Sequence, residues 1–195
     1  MKMLYSIGVF FLLCSNMTFA VETLGTYYLS AWDEKYEVLV SDSGTEVFIS
    51  CQASSEETED LKGGIFLNED TKNQFIKDLK EAKKYFIKWS AVAKKNKVKD
   101  FIKPVEIVTD VVAWYFQGDI LRTQSVRISY FFQVSVKGKT ALTTFIPELD
   151  RYPENHKGFT LILASVSEVD SLIKIISDEN IKKFINKPTT DELFK

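Results

Sequence analysis

Residues 126–136 read VRISYFFQVSV, and the stretch alternates between apolar and more polar side chains over its whole length. Successive side chains of a β-strand point to opposite faces of the sheet, so an alternation of period two predicts a strand with one buried face. The even-numbered residues from Val126 to Val136 are the predicted core face. Lys137-Gly138-Lys139 then predicts a turn, and 140–146 is predicted to return as the next strand.

A long amphipathic helix is predicted from Asp70 or Thr71 to Asn96. Apolar residues recur there at alternating steps of four and three, which places them in one stripe along a helix. The stripe consists of Phe75, Leu79, Ala82, Phe86, Trp89 and Ala93. Four lysines fall within a narrow sector of the opposite side and form a basic ridge, namely Lys77, Lys84, Lys88 and Lys95. The ridge is a candidate site for anionic lipid, polysaccharide or a partner protein, and the alternative is the ordinary solvated face of such a helix.

Further strands and helices are predicted on both sides of this helix. The strands are 24–32, 36–41, 45–52 and 63–67 before it, and 105–116, 126–136, 140–146 and 159–164 after it. A helix from Ser165 or Ser167 to Ser177 and a short one to Asn186 follow. This order predicts an α+β fold in which antiparallel sheets are covered by one long and one or two shorter helices. It also fits a duplicated unit of four strands and a helix.

The first 20 residues have the three parts of a secretory signal peptide. Lys2 supplies a positive charge, 4–13 is almost wholly apolar, and Thr18-Phe19-Ala20 provides small residues for the peptidase. The apolar part is shorter than the roughly 20 residues that span a bilayer, which argues against a retained anchor. We therefore expect cleavage before Val21 and a single globular domain over 21–195, exported and without a stable transmembrane segment.

Lipidation at Cys14 is the alternative for this segment, but a lipidated cysteine usually follows a small residue and here Leu13 precedes it. Cleavage would leave Cys51 as the only thiol, so the domain could form no internal disulfide. Cys51 is in register with Val47 and Ile49 on a predicted strand, which favours a buried core thiol over a nucleophile. The net charge of −2 has the wrong sign for general nucleic-acid binding, so no nucleic-acid partner is expected.

Catalytic motifs do not emerge from the sequence. His156 is the only histidine, and a zinc site needs more histidine and cysteine ligands than the domain contains, so neither a metal nor another cofactor is expected. A glycan hydrolase needs only two carboxylates at a suitable separation, and it stays open as an alternative. The acids that lie near predicted strand ends or in loops are Glu106, Asp110, Asp119, Glu148, Asp150 and Glu154. No feature of the sequence selects a pair among them.

Aromatic residues cluster on three predicted strands. The clusters are Tyr27, Tyr28 and Trp32, then Trp114, Tyr115 and Phe116, then Tyr130, Phe131 and Phe132. Because neighbouring strand residues point to opposite faces, each cluster places rings on both faces of its sheet. Trp114, Tyr115 and Phe131 are therefore candidate ligand-binding residues on an aromatic surface for sugars or a partner protein. The alternative is that helices cover one face and a second sheet covers the other, which would bury all of the rings.

The stretch 75–98, FIKDLKEAKKYFIKWSAVAKKNKV, resembles a segment of small exported proteins of Bacteroides-type bacteria that have no assigned function. The resemblance covers only the long helix and its exit. It implies a periplasmic or cell-surface protein of a Gram-negative bacterium, and it carries over no catalytic residue.

Taken together, these features predict an exported, non-enzymatic binding protein whose partner is an unidentified protein or glycan. The alternatives are the carboxylate-dependent glycan hydrolase and a module that binds single-stranded nucleic acid.

Overall fold

The computed structural model describes residues 21–31, 33–53, 63–117, 120–147 and 158–187. Several predictions concern residues outside these ranges. They are the signal peptide 1–20 with Cys14, and Trp32, Asp119, Glu148, Asp150, Glu154 and His156.

The described residues form nine strands and three helices. The strands are β1 (Val21–Leu29), β2 (Glu34–Ser41), β3 (Val47–Ser50), β4 (Gln52–Ala53), β5 (Gly63–Leu67), β6 (Phe101–Gln117), β7 (Ile120–Val134), β8 (Thr140–Ile146) and β9 (Phe159–Leu163). The helices are α1 (Glu69–Lys95), α2 (Val166–Ile175) and α3 (Asp178–Ile185). Every strand pair is antiparallel, which confirms the predicted α+β class with one long and two shorter helices.

All nine strands belong to one sheet, in the order β1-β2-β3-β5-β6-β7-β8-β9-β4. Only Cys51 separates β3 from β4, yet β3 pairs with β5 and β4 pairs with β9. The continuous segment 47–53 therefore supplies both the first and the last strand of the series β3-β5-β6-β7-β8-β9-β4. The sheet closes on itself at this segment. The backbone N–H of Cys51 donates to the carbonyl oxygen of Gly63 at 2.8 Å, so hydrogen bonding continues through the junction.

The central hairpin of β6 and β7 is longer than predicted. β6 begins at Phe101 instead of residue 105, and β7 begins at Ile120 instead of residue 126. The two strands pair from one end to the other, with a bulge between Val105 and Val108. Each strand satisfies the backbone groups of the other, and the side-chain pattern of one strand alone does not reveal this. β6 is also less buried than predicted, because Glu106, Val108 and Asp110 are exposed.

The predicted core face of β7 is confirmed. Ile128, Tyr130, Phe132 and Val134 are buried, and the rings of Phe86 and Trp89 on α1 approach the Phe132 ring with centroid distances of 6.3 and 5.8 Å. We call this side of the sheet the helix face and the opposite side the outer face. Val136 departs from the pattern because it lies in the turn after β7, where it is exposed.

Helix α1 begins earlier than predicted, with Asn68 as its N-cap. The Asn68 side chain accepts a hydrogen bond from the backbone N–H of Thr71 at 2.9 Å, and the Thr71 hydroxyl accepts one from the backbone N–H of Asn68 at 2.9 Å. This reciprocal arrangement satisfies two backbone donors at once, which Asp70 or Thr71 as a cap would not do. The predicted apolar stripe is buried against the helix face, except that Trp89 is only partly buried.

A buried carboxylate connects α1 to the sheet. Asp78 accepts hydrogen bonds from Gln74 Nε2 at 2.8 Å and from Thr109 Oγ1 on β6 at 2.7 Å. The Thr109 hydroxyl lies 3.2 Å from the hydroxyl of Tyr130 on β7. Because a buried polar group is costly unless it is hydrogen-bonded, this network fixes the helix at one position along β6 and β7.

The two shorter helices are held by carboxylates in a similar way. Glu168 on α2 accepts hydrogen bonds from the Ser30 hydroxyl at 2.6 Å and from the backbone N–H of Ala164 at 2.7 Å, so it joins α2 to the end of β1. Lys72 on α1 is buried and pairs with Asp178 on α3. The hydrogen bond from Lys72 lowers the pKa of Asp178, which keeps this carboxyl charged opposite the buried ammonium group.

Each half of the chain feeds a helix directly from a strand, α1 from β5 and α2 from β9. This order agrees with the predicted strand-and-helix unit, and the duplication stays a hypothesis about topology.

Two neighbouring glycines allow the sheet to close. A Cβ atom on Gly64 would lie 1.9 Å from the carbonyl oxygen of Ile49 on β3, and a Cβ atom on Gly63 would lie 2.1 Å from the Phe159 ring on β9. Both distances are far inside van der Waals contact. Glycine at these positions is therefore required by the close approach of β5 to β3 and of β5 to β9.

We expect the substitution Gly64→Ala to lower the free energy of unfolding by more than about 3 kcal/mol, because the added methyl group meets backbone that cannot move aside. Urea unfolding followed by tryptophan fluorescence measures the change. Gly138→Ala is the matched control, since its Cβ atom would lie 3.8 Å from the nearest atom and only its φ of +78° opposes alanine. That cost is about 1 kcal/mol. Equal losses in the two variants would contradict the role given to the close approach.

Candidate functional site

The three predicted aromatic site residues lie in different environments. Trp114 and Tyr115 are buried, with 2% and 3% of their surface exposed, and Phe131 is half-buried. Tyr115 belongs to the core on the helix face, whereas Trp114 lies on the outer face opposite Gly64. The prediction that adjacent rings point to opposite faces is therefore confirmed for this pair. Ligand binding by these three residues stays a prediction. Because Trp114 and Tyr115 are buried, they lie in this structure beneath a surface that other residues form.

Trp114 extends across the outer face because its neighbour has no side chain. Its ring centroid lies 5.8 Å from that of Phe48 on β3, although β5 runs between the strands that carry the two residues. Adjacent strands are about 4.8 Å apart, so the indole must cross β5, where Gly64 leaves the space. The ring of Phe116, which is exposed, meets the indole edge-on at 5.8 Å. Trp114 Nε1 has no hydrogen-bond partner within the part of the chain that the structure describes.

A groove of about 360 Å³ lies beside this indole on the outer face. We call it the aromatic groove. Its described lining combines two aromatic rings, two aliphatic side chains and four polar residues, namely Phe48, Phe66, Val112, Leu121, Glu46, Thr123, Gln124 and Ser125. The rings of Phe48 and Phe66 lie 5.0 Å apart.

The strand register explains how residues from distant parts of the sequence meet in this groove. Phe48 lies opposite Phe66, Phe66 opposite Val112, and Val112 opposite Ser125, so one row crosses four strands. Facing residues of antiparallel strands have Cβ atoms about 5 Å apart, which gives a continuous contact surface. The groove is therefore built on strands, which hold their side chains more rigidly than loops do.

A second groove of about 520 Å³ shares Val112 and Ser125 with the first. It contains Asp110, whose carboxylate accepts a hydrogen bond from Arg127 Nε at 2.8 Å. This hydrogen bond lowers the pKa of Asp110, which favours the charged form and disfavours proton donation at neutral pH. Glu46 is the one carboxylate among the described lining residues of the aromatic groove, and Asp110 is the one in the second groove.

The remaining acids of the predicted set do not add a partner for Asp110 in the described residues. Glu106 is exposed on the bulge of β6, and the other four lie outside the described ranges. The described part of the chain also contains no group of three or more histidine, cysteine, aspartate or glutamate residues that could hold a metal ion.

Phe131 lies on a different part of the outer face, across β6, β7 and β8. Its ring meets the exposed ring of Phe145 edge-on at 5.6 Å, and the exposed Val108 lies opposite Ser129 next to this pair. Val108, Phe131 and Phe145 form what we call the apolar patch.

The four lysines of the predicted basic ridge, Lys77, Lys84, Lys88 and Lys95, are all exposed on α1. Lys84 forms an ion pair with Glu81 one turn earlier. The ridge is therefore solvent-facing as predicted, and a role in ligand binding stays a prediction. None of the described helices has both the length and the apolar character needed to cross a membrane.

Cys51 is buried, as predicted from its register with Val47 and Ile49. Burial raises the pKa of its thiol to about 12, so the reactive thiolate is scarce at neutral pH. The Tyr27 hydroxyl donates to the carbonyl oxygen of Ser50 next to it, and the Tyr27 ring packs against that of Tyr36 at 5.9 Å. These neighbours form a core contact between β1, β2 and the junction of β3 with β4. The arrangement gives Cys51 a structural role.

Comparison with known proteins identifies no relative. No protein-family model, no curated protein and no solved structure matches the chain.

Most of the aromatic groove is not predictable from the sequence. The strand patterns place Phe48 and Phe66 on strands but indicate no site there, and 123–125 precede the predicted start of β7. One signal was available, because Phe48 is a large ring between two buried residues of a predicted strand and so must lie on the opposite face. That residues of four strands come together in this groove follows only from the register of the sheet.

In the domain that begins at Val21, Cys51 should not react with a maleimide in the folded state near pH 8, because the thiol is both buried and protonated. Labelling should reach one group per chain in denaturant, measured by mass spectrometry. Ser135→Cys in the Cys51→Ala background is the matched control, since Ser135 is exposed and its cysteine should react at once. Rapid labelling of native Cys51 would contradict its assignment to the core.

Proposed function

We propose that this chain is an exported binding protein that takes a glycan in the aromatic groove. The observation that carries the proposal is the composition of the groove, in which the rings of Phe48 and Phe66 lie beside the hydroxyl groups of Thr123 and Ser125 on the outer face. Binding sites for small ligands combine mostly apolar walls with a few placed polar groups. A sugar ring presents an apolar C–H face and a rim of hydroxyl groups, so it complements both parts of this lining.

Two further features support the groove as the binding site. Its volume of about 360 Å³ lies in the range of small-ligand sites, which begins at about 300 Å³. The buried indole of Trp114 meets the ring of Phe48, one of the two lining rings, edge-on at a centroid distance of 5.8 Å. This contact holds the Phe48 ring in place on the outer face.

The binding proposal is tested by titrating the domain with a panel of oligosaccharides in a calorimeter. For any glycan that binds, Phe66→Ala should raise the Kd by about tenfold or more and Thr123→Ala by severalfold, because they remove a ring face and a hydrogen-bonding hydroxyl group. Phe145→Ala is the matched control, since it removes an exposed ring from the apolar patch on the same face.

Two outcomes would contradict the proposal. The first is an absence of binding to every glycan tested. The second is weaker binding in Phe145→Ala with unchanged binding in Phe66→Ala, which would place the ligand on the apolar patch and favour a protein partner.

We also infer that the domain works in the periplasm or at the cell surface of a Gram-negative bacterium, after cleavage behind Ala20. The support is the three-part composition of 1–20. A cleavage at this point leaves every described residue of the sheet in the exported product.

When the full chain is produced in a Gram-negative host, N-terminal sequencing of the envelope fraction should yield Val21 as the first residue. Ala20→Arg should block processing and leave the precursor at the membrane, because the peptidase needs a small residue at the cleavage site. Thr26→Arg, beyond the predicted cleavage site, serves as the control and should be processed normally. A cytoplasmic product that keeps Met1, or one lipidated at Cys14, would overturn this inference.

A further inference from the structure

A concentration of lysines lies at one end of the molecule. We call it the basic end. It is formed where the last turn of α1, the connection 96–100, the start of β6 and the turn after β7 come together. Its lysines are Lys94, Lys95, Lys97, Lys99, Lys103, Lys137 and Lys139, and all are exposed.

Three contacts show that these segments are adjacent. The backbone N–H of Val98 donates to the carbonyl oxygen of Ala93 at 3.0 Å, which folds the connection back on α1. The backbone N–H of Asp100 donates to the carbonyl oxygen of Ser135 at 3.2 Å, which joins the connection to the turn after β7. Phe101 then enters the sheet opposite Val134. The seven lysines therefore share one surface.

The positive charge of the basic end is not compensated locally. Asp100 is the one acidic residue in 94–103 and 135–139, against seven lysines. None of the seven forms an ion pair with another residue in the described part of the chain. The whole chain has a net charge of −2, so its charge is strongly segregated toward this end. Such a surface attracts anionic partners.

Exposed apolar side chains project from the same end. Val136 and Ile102 are 66% and 64% exposed, which makes them the two most exposed large apolar side chains of the described residues. Phe101, next to Ile102, and Val92, near the end of α1, are also exposed. Ile102 lies opposite Gln133 of β7, and Val136 follows three residues later in the turn. Lys103 and Lys137 are the sequence neighbours of these two apolar residues.

We propose that the basic end docks onto the surface of an anionic phospholipid bilayer. Lysines near a negatively charged membrane surface contribute electrostatic attraction, and apolar side chains that project among them enter the boundary between headgroups and acyl chains. Both parts are present here. The attachment is peripheral, because no described helix can cross the membrane.

Nucleic acid and other hydrated polyanions fit this surface less well. They would use the lysines but gain nothing from the exposed Ile102 and Val136, which would stay in water. The basic end also contains no arginine, the residue whose planar fork binds phosphate through two hydrogen bonds. The proposal goes beyond the glycan-binding function and does not depend on it, because the residues of the aromatic groove do not take part.

The test is sedimentation of the domain from Val21 with phosphatidylcholine vesicles that contain phosphatidylglycerol, and with vesicles of phosphatidylcholine alone. The wild-type domain should bind the anionic vesicles, and binding should fall steeply as salt is raised from about 0.05 to about 0.5 M. Pure phosphatidylcholine should bind at least about tenfold less protein. These measurements need no variant.

Two double variants then separate the two components. Lys99→Glu with Lys137→Glu should reduce binding by at least about tenfold, because it reverses charge at the surface. Ile102→Ser with Val136→Ser should reduce it by about tenfold, because it removes the groups that insert. The matched controls are Lys35→Glu with Lys80→Glu, which lie outside both the basic ridge and the basic end, and Val108→Ser in the apolar patch, all at exposed positions. Circular dichroism before and after thermal unfolding checks that each variant is folded.

Three outcomes would overturn the proposal. Wild-type protein that fails to bind anionic vesicles would remove it outright. Control variants that lose as much binding as the basic-end variants would show that the attraction has no specific location. Strong binding to single-stranded DNA, together with unchanged vesicle binding in the Ile102 and Val136 variant, would favour a polyanion site in place of a membrane surface.

Discussion

The closure of the sheet at the segment 47–53 is the constraint on which the rest of the structure depends. One continuous stretch of chain pairs first with β5 and then with β9, so strands that are more than a hundred residues apart become neighbours. The closure requires Gly63 and Gly64, because a side chain at either position would collide with β9 or β3. It also buries Cys51 at the junction. A reactive thiol is therefore incompatible with the way this sheet is closed.

The same closure determines where aromatic rings can be exposed. Helices α1 and α2 pack on the helix face, so rings such as those of Tyr115, Tyr130 and Phe132 belong to the core. The outer face carries no helix in the described residues, and its rings must pack against one another. Trp114 does so by lying across Gly64, which means that the glycine needed for closure also supplies the space for the indole. The aromatic groove is thus a consequence of how β3, β5 and β6 are brought together.

Much of the fold was predictable because its strongest signals are local. The alternation in 126–136 and the stripe of α1 each depend on one element that buries one face, and both predictions are confirmed. Predictions failed where a partner decides the outcome. The starts of β6 and β7 depend on their mutual pairing, and the cap at Asn68 depends on a reciprocal hydrogen bond with Thr71.

The groove combines single residues from four strands, and no pattern within one strand can indicate such a meeting. The basic ridge was visible from spacing, but the denser basic end was not, because it unites a helix end with a turn 40 residues away in the sequence.

The two proposed surfaces lie far apart on the same hairpin, and their arrangement has a functional consequence. Ile102 is near the start of β6, whereas Val112, which lines the aromatic groove, lies ten residues further along the strand. A strand rises about 3.3 Å per residue, so these residues are separated by about 33 Å along the strand. If the basic end rests on a membrane, β6 and β7 carry the aromatic groove away from the bilayer toward the solvent. A glycan could then reach the groove without displacing lipid, and the long hairpin would act as the spacer between attachment and binding.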